Sequence, residues 1–126
     1  MREEDVISES VIGSAIEVHR SLGPGLLESV YEECLAHELA LRNIPFRRQL
    51  PVPVIYKGVT LDCGFRLDLF VSDRVVVELK AVDRVLPVHV AQALTYLRLT
   101  HCKLGLILNF NAAPLTAGIK RVVLNY

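Results

Sequence analysis

Leu61-Asp62-Cys63-Gly64-Phe65-Arg66-Leu67-Asp68-Leu69-Phe70-Val71, then Ser72-Asp73-Arg74, then Val75-Val76-Val77-Glu78-Leu79-Lys80-Ala81, is the stretch whose reading decides the fold. In its first part Phe65, Leu67, Leu69 and Val71 alternate with Arg66, Asp68 and Phe70, the period of a strand with one buried face. The last part alternates in the same way, Val75, Val77, Leu79 and Ala81 against Val76, Glu78 and Lys80. Side chains directly opposite in an antiparallel pair share a face, so burying both apolar rows demands Val71 opposite Val75, Leu69 opposite Val77 and Leu67 opposite Leu79. That register predicts a three-residue turn, Ser72-Asp73-Arg74. It also sets Asp68 opposite Glu78, with Lys80 on the same face and Arg66 across from it.

Two carboxylates with Cβ atoms about 5 Å apart repel each other unless a positive charge sits between them. A divalent cation would relieve the repulsion. Oxygen ligands suit Mg2+ or Mn2+, and a neighbouring Lys can help to deprotonate a water. The alternative is a solvated sheet face on which Lys80 and Arg66 form ordinary cross-strand ion pairs. Spacing alone leaves both readings open.

Outward from this hairpin, Ile7, Val11, Ile12, Ala15, Ile16 and Val18 recur at helical spacing, which predicts an amphipathic helix from about Glu4 to Arg20. Ser21-Leu22-Gly23-Pro24-Gly25 ends it, and a second helix is expected from about Leu26 to Arg42. On it Glu28, Tyr31 and Glu32 share a face. Glu28 by itself reads as an acid favoured by the helix dipole. A strand follows over Phe46 to Ile55, made irregular or an edge by Pro51 and Pro53. Arg47 and Arg48 stand on it, either as a solvated edge or as phosphate contacts. Pro87 opens a third helix running to about Thr100, with His89, Gln92 and Tyr96 on a polar stripe. Lys103 to Phe110 reads as a strand buried on both faces, Asn111 to Thr116 as a loop, and Gly118 to Leu124 as a last strand or turn. The predicted class is α/β (α+β): a mixed sheet flanked by helices, with an inner αβββαβ order behind an extra N-terminal helix.

At this point the residues resemble a known group. Asp68 followed by Glu78-Leu79-Lys80 resembles the D…ExK signature of the PD-(D/E)xK nuclease superfamily, and Gln92-Ala93-Leu94-Thr95-Tyr96 resembles the QxxxY element of its RecB-like branch. Gly25-Leu26-Leu27-Glu28-Ser29-Val30-Tyr31 is similar to the motif that names the small GxxExxY family, and the resemblance runs from about Val11 to Val123. It implies the αβββαβ restriction-endonuclease-like core. It further implies Mg2+ or Mn2+ on Asp68 and Glu78, with Glu28 and the Leu79 carbonyl as further ligands. Lys80 would assist water activation, and Gln92 and Tyr96 would hold the water or the nucleic-acid strand. Leu67 stands where the signature proline would be.

Fourteen basic and fourteen acidic residues cancel, so a nucleic-acid role must rest on a local surface. Arg66, Arg47, Arg48 and Arg84 are the candidates for it, with Tyr31, His89 and His19 adjacent to the site. At 126 residues the chain is read as one domain. No apolar run approaches the roughly 20 residues of a membrane span, and Arg2-Glu3-Glu4-Asp5 does not suit a secretory signal, so a cytoplasmic location is expected. Cys34, Cys63 and Cys102 lack a CxxC pair and read as reduced core residues.

Two functions follow. One is a metal-dependent phosphodiester hydrolase acting on nucleic acid, DNA ahead of RNA, with a homodimer supplying the two sites that cutting a duplex requires. The other is a non-catalytic module that keeps the fold and binds nucleic acid or protein.

Overall fold

The computed structural model describes residues 2–126. Helix α1 spans Glu3–Leu22, with Glu3, Glu4 and Asp5 in its first turn, where the helix dipole favours acids. Its end needs glycine: Gly23 and Gly25 have φ of 70° and 98°, backbone that side chains with a Cβ adopt at a cost. Helix α2 spans Glu28–Leu41.

The chain then forms edge strand β1 (Phe46–Pro51), a small separate hairpin of β2 (Val54–Tyr56) and β3 (Val59–Leu61), and the central pair β4 (Arg66–Val71) and β5 (Val75–Lys80). Helix α3 (Pro87–Thr100), β6 (Leu104–Asn109), a 3-10 turn at Leu115–Gly118 and β7 (Ile119–Val123) complete it. The main sheet has the order β1-β4-β5-β6-β7, with β5 and β6 parallel and the other neighbours antiparallel. A parallel pair needs a crossover long enough to return the chain, and α3 provides it.

The sheet is sandwiched. On one face Leu69, Val71, Val77, Leu79, Leu106 and Leu108 pack against α1 and α2; on the other Phe70, Val76, Ile107 and Val122 pack against α3. That is why β5 and β6 read as nearly continuous apolar runs, with every residue of β6 buried. Each buried Val or Leu contributes about 1.5–3 kcal/mol relative to exposure. Glu78 is carried along into this layer. It is 5% exposed because its neighbours require the strand to be central.

The hairpin register holds for Val71 with Val75 and Leu69 with Val77, and Ser72-Asp73-Arg74 is the turn. Beyond Leu69 it departs from expectation, since the β4–β5 ladder stops there. Leu67 packs with the α3-side core instead of facing Leu79, and Phe65 is 38% exposed against the edge of Tyr96. The expected strand from Phe46 to Ile55 is also broken: β1 ends at Pro51, and β2 and β3 form a hairpin of their own around Lys57-Gly58. Cys63 is exposed, contrary to its reading as a core residue, while Cys34 and Cys102 are half-buried; all three are free thiols.

Candidate active site

Where the ladder stops, the Asp68 side chain takes over from the backbone. Its Oδ2 accepts the Leu79 N–H at 2.8 Å, a bond that a main-chain carbonyl of β4 would otherwise make. Strands β4 and β5 are thereby held together by a carboxylate at the point where they part. Glu78 precedes Leu79 and lies close enough to Asp68 for the two to share a hydrogen bond, and the charges of both reach Tyr96 of α3. Its Oε1 is buried and has no hydrogen-bond partner among the described residues.

Burial, and next the charge of Asp68, push the Glu78 carboxyl up to about 9; a hydrogen bond shared with Asp68 adds to this, and the Lys80 charge opposes it. Glu78 therefore keeps its proton at neutral pH. A buried acid held protonated by desolvation and a neighbouring carboxylate is a recurrent mark of a functional site.

Helix α3 covers the pair. Tyr96 is 4% exposed, and its phenol is held above its ordinary range by burial first and then by the charges of Glu78 and Asp68. Gln92 Nε2 donates to the Tyr96 oxygen at 3.4 Å, from an exposed position one turn earlier. The two residues of the QxxxY element thus meet beside the acids.

The other expected site residues divide. Lys80 is half-buried and near enough for its charge to act on Glu78. Arg66 and Arg84 are exposed and join no ion pair among the described residues. Arg47 pairs with Asp73 at 2.6 Å, and Arg48 with Glu32 at 2.9 Å and Glu33 at 3.0 Å, so both arginines are already engaged by acids. His89 is a capping residue, its Nδ1 accepting the Leu86 N–H at 2.9 Å at the start of α3.

Tyr31 is fully buried, stacks on Phe110 with ring centroids 4.5 Å apart, donates its hydroxyl to the Gly23 carbonyl at 2.6 Å and accepts the Leu26 N–H at 3.1 Å. It therefore pins the glycine loop between α1 and α2. His19 lies 6.3 Å from the same Phe110 ring, centroid to centroid, and Phe110 N–H donates to the Lys80 carbonyl at 2.9 Å. These aromatic residues stand behind the backbone that carries Lys80.

Glu28 is exposed in the first turn of α2 and makes no hydrogen bond or ion pair among the described residues. Among those residues no three His, Cys, Asp or Glu side chains lie close enough together to hold a metal ion. The acid of α2 that does connect to the site is Glu32, one turn on. It is 8% exposed, accepts from Arg48, and accepts from Gln49 at 2.6 Å; Gln49 also reaches Asp68 at 3.4 Å. Sequence reading put Glu32 on the face of Glu28 and Tyr31 without assigning it a role, and passed over Gln49. The available signal was Arg48 standing beside a polar Gln49 on a strand that should otherwise alternate.

Oxygen is the only donor type at the pair, and an orphaned buried carboxylate oxygen is what a small hard cation would satisfy. Asp68 and Glu78 fit such an ion. Among the described residues no helix is long and apolar enough to cross a membrane. Neither the search of curated proteins nor that of solved structures returned a match. A family model described as the PD-(D/E)XK nuclease superfamily does match, over residues 5–122. Coming after a mixed sheet whose central pair carries Asp68 and Glu78-Leu79-Lys80, that match covers nearly the whole chain: the protein belongs to the PD-(D/E)XK nuclease superfamily.

Proposed function

We propose that this chain is a metal-dependent nuclease of the GxxExxY family, in the RecB-like QxxxY branch, acting in the cytoplasm on nucleic acid, with DNA ahead of RNA. The observation that carries the reading is the buried Glu78 carboxyl, with one oxygen unpartnered, set against Asp68 and followed by Lys80 along the strand. Mg2+ commonly binds through one or two carboxylates and fills its remaining positions with water and substrate phosphate. Two acids are therefore a sufficient protein contribution. Asp68 and Glu78 would hold the ion, with the Leu79 carbonyl as a further ligand. When bound, the ion supplies Lewis-acid stabilisation of charge on the scissile phosphate and eases deprotonation of water.

The protein's own residues have separate tasks in this reading. Asp68 has its Oδ2 fixed by the Leu79 N–H. To hold the cation Glu78 would have to release its proton to solvent. Lys80, already inside the electrostatic reach of the pair, orients and polarises the attacking water. Gln92 and Tyr96 line the α3 side, where they can hydrogen-bond a phosphodiester. Arg66 and Arg84, exposed and outside the ion pairs, are better placed to meet phosphates than Arg47 and Arg48. Two copies would supply the two sites that cutting a duplex demands.

Glu28 is the acid this arrangement can do without. Glu28→Gln is expected to change manganese affinity less than about threefold, measured by calorimetry; a loss equal to that of an Asp68 variant would make it a ligand.

The test of the reading is manganese-dependent cleavage of labelled single- and double-stranded DNA and RNA, halted by a chelator. Lys80→Met should still bind manganese and nucleic acid yet cut at least about a hundredfold more slowly. Wild type that binds nucleic acid and cuts nothing would instead establish the non-catalytic module.

A further inference from the structure

We propose that Gln49 is a positioning residue, which ties Asp68 to the ion pair of buried Glu32 with Arg48 and holds its carboxylate aimed at the cation. This rests on the metal-nuclease reading of Asp68. The β1–β4 register pairs Arg48 with Leu69 and Leu50 with Leu67, which sets Gln49 opposite Asp68, yet Gln49 is missing from the ladder. Its φ is 49°, in the left-handed region. A non-glycine residue there costs about 1 kcal/mol or more and persists only where its surroundings impose it.

The imposed conformation brings one side-chain amide to two acids. Gln49 Nε2 donates to Glu32 Oε1 at 2.6 Å and to Asp68 Oδ1 at 3.4 Å. Only the NH2 end can face two carboxylates, so the orientation of the amide is chemically determined. Glu32 cannot follow a moving Gln49, because Arg48 holds its other oxygen with Nε at 3.2 Å and Nη2 at 2.9 Å. Asp68 is thus restrained at both oxygens, by a backbone N–H on one and by Gln49 on the other.

The choice of amide matters. A Lys or Arg in its place would neutralise Asp68 and compete with the cation, whereas a neutral donor fixes the geometry and leaves the negative charge for the metal. Partners that orient a ligating carboxylate typically change metal affinity by 10–100-fold when removed.

Gln49→Met keeps the length and removes both donors. By calorimetry it should bind manganese about tenfold more weakly than wild type, with kcat for cleavage reduced and KM for nucleic acid unchanged. An affinity equal to wild type would overturn the proposal. A second measurement works without metal: the Gln49 side-chain amide resonances of 15N-labelled protein should move in both Asp68→Asn and Glu32→Gln. If wild type binds no manganese, the nuclease reading fails, and the resonances alone decide whether Gln49 bridges the two acids. Signals indifferent to Asp68→Asn would overturn the bridge even in a protein that does bind manganese.

Discussion

Asp68→Asn is expected to leave the protein folded while lowering both manganese affinity and metal-dependent cleavage by about a thousandfold or more. The conservative change is chosen because Asp68 has two separable roles. Its Oδ2 accepts the Leu79 N–H where the β4–β5 ladder ends, and Asn retains a carbonyl oxygen that can do the same. Asp68→Ala would strip that acceptor and leave a buried donor unsatisfied, a cost of about 1–3 kcal/mol that would blur a loss of function with a loss of fold. The negative charge is what only Asp supplies. Removing it also relieves Glu78, whose carboxyl should titrate lower once its charged neighbour is gone. Calorimetric titration with manganese, a cleavage assay and a thermal melt on the same two proteins separate these effects. Wild-type manganese affinity in the Asp68→Asn variant would remove Asp68 from the ligand set.

Much of this arrangement was legible in the sequence because burial enforces register. Once Leu69 and Val71 must face the same core as Val77 and Val75, the carboxylates at Asp68 and Glu78 are brought near each other, and although the ladder ends before them the charge of Asp68 acts on Glu78. Helix α3 was legible for a similar reason: Pro87 fixes its start, and it spans the expected Pro87–Thr100. Periodicity could not reveal that Asp68 would replace a backbone acceptor, because a ladder that ends early looks identical in sequence to one that continues. The β2–β3 hairpin escaped because its residues are mostly exposed, which leaves no alternation to read between Pro53 and Cys63. Gln49 and Glu32 escaped for a different reason. Their contact joins a strand and a helix 17 positions apart in sequence, and neither residue type announces a bridge. Tyr31 shows the converse, a motif residue whose hydroxyl is spent on clamping the Gly23–Leu26 loop.

Glu78→Gln is expected to stabilise the metal-free protein, and to do so increasingly as pH rises. The folded carboxyl titrates at about 9 against an ordinary 4.5, with burial the larger cause and Asp68 the second. Between those values the folded state keeps a proton that the unfolded chain has released, so stability falls as pH climbs through the window. Each pH unit removes about 1.4 kcal/mol, which puts the loss near 3 kcal/mol by pH 7. Glutamine has the same shape and cannot ionise, so the variant escapes the loss; a buried atom without a partner is present in both proteins and cancels. Thermal melts should therefore coincide near pH 4 and separate by about 10 °C at pH 7, with the variant the more stable. Manganese should reverse the order. Binding must displace the Glu78 proton, so the wild-type protein should gain more from the ion at pH 8 than at pH 6, while the variant gains little at either. Melts of the two metal-free proteins that run parallel from pH 4 to 8 would show that Glu78 is ionised in the folded state, and its retained proton would have to be abandoned. The expected divergence identifies in Glu78 a buried acid that costs the fold stability in proportion to its readiness for a cation.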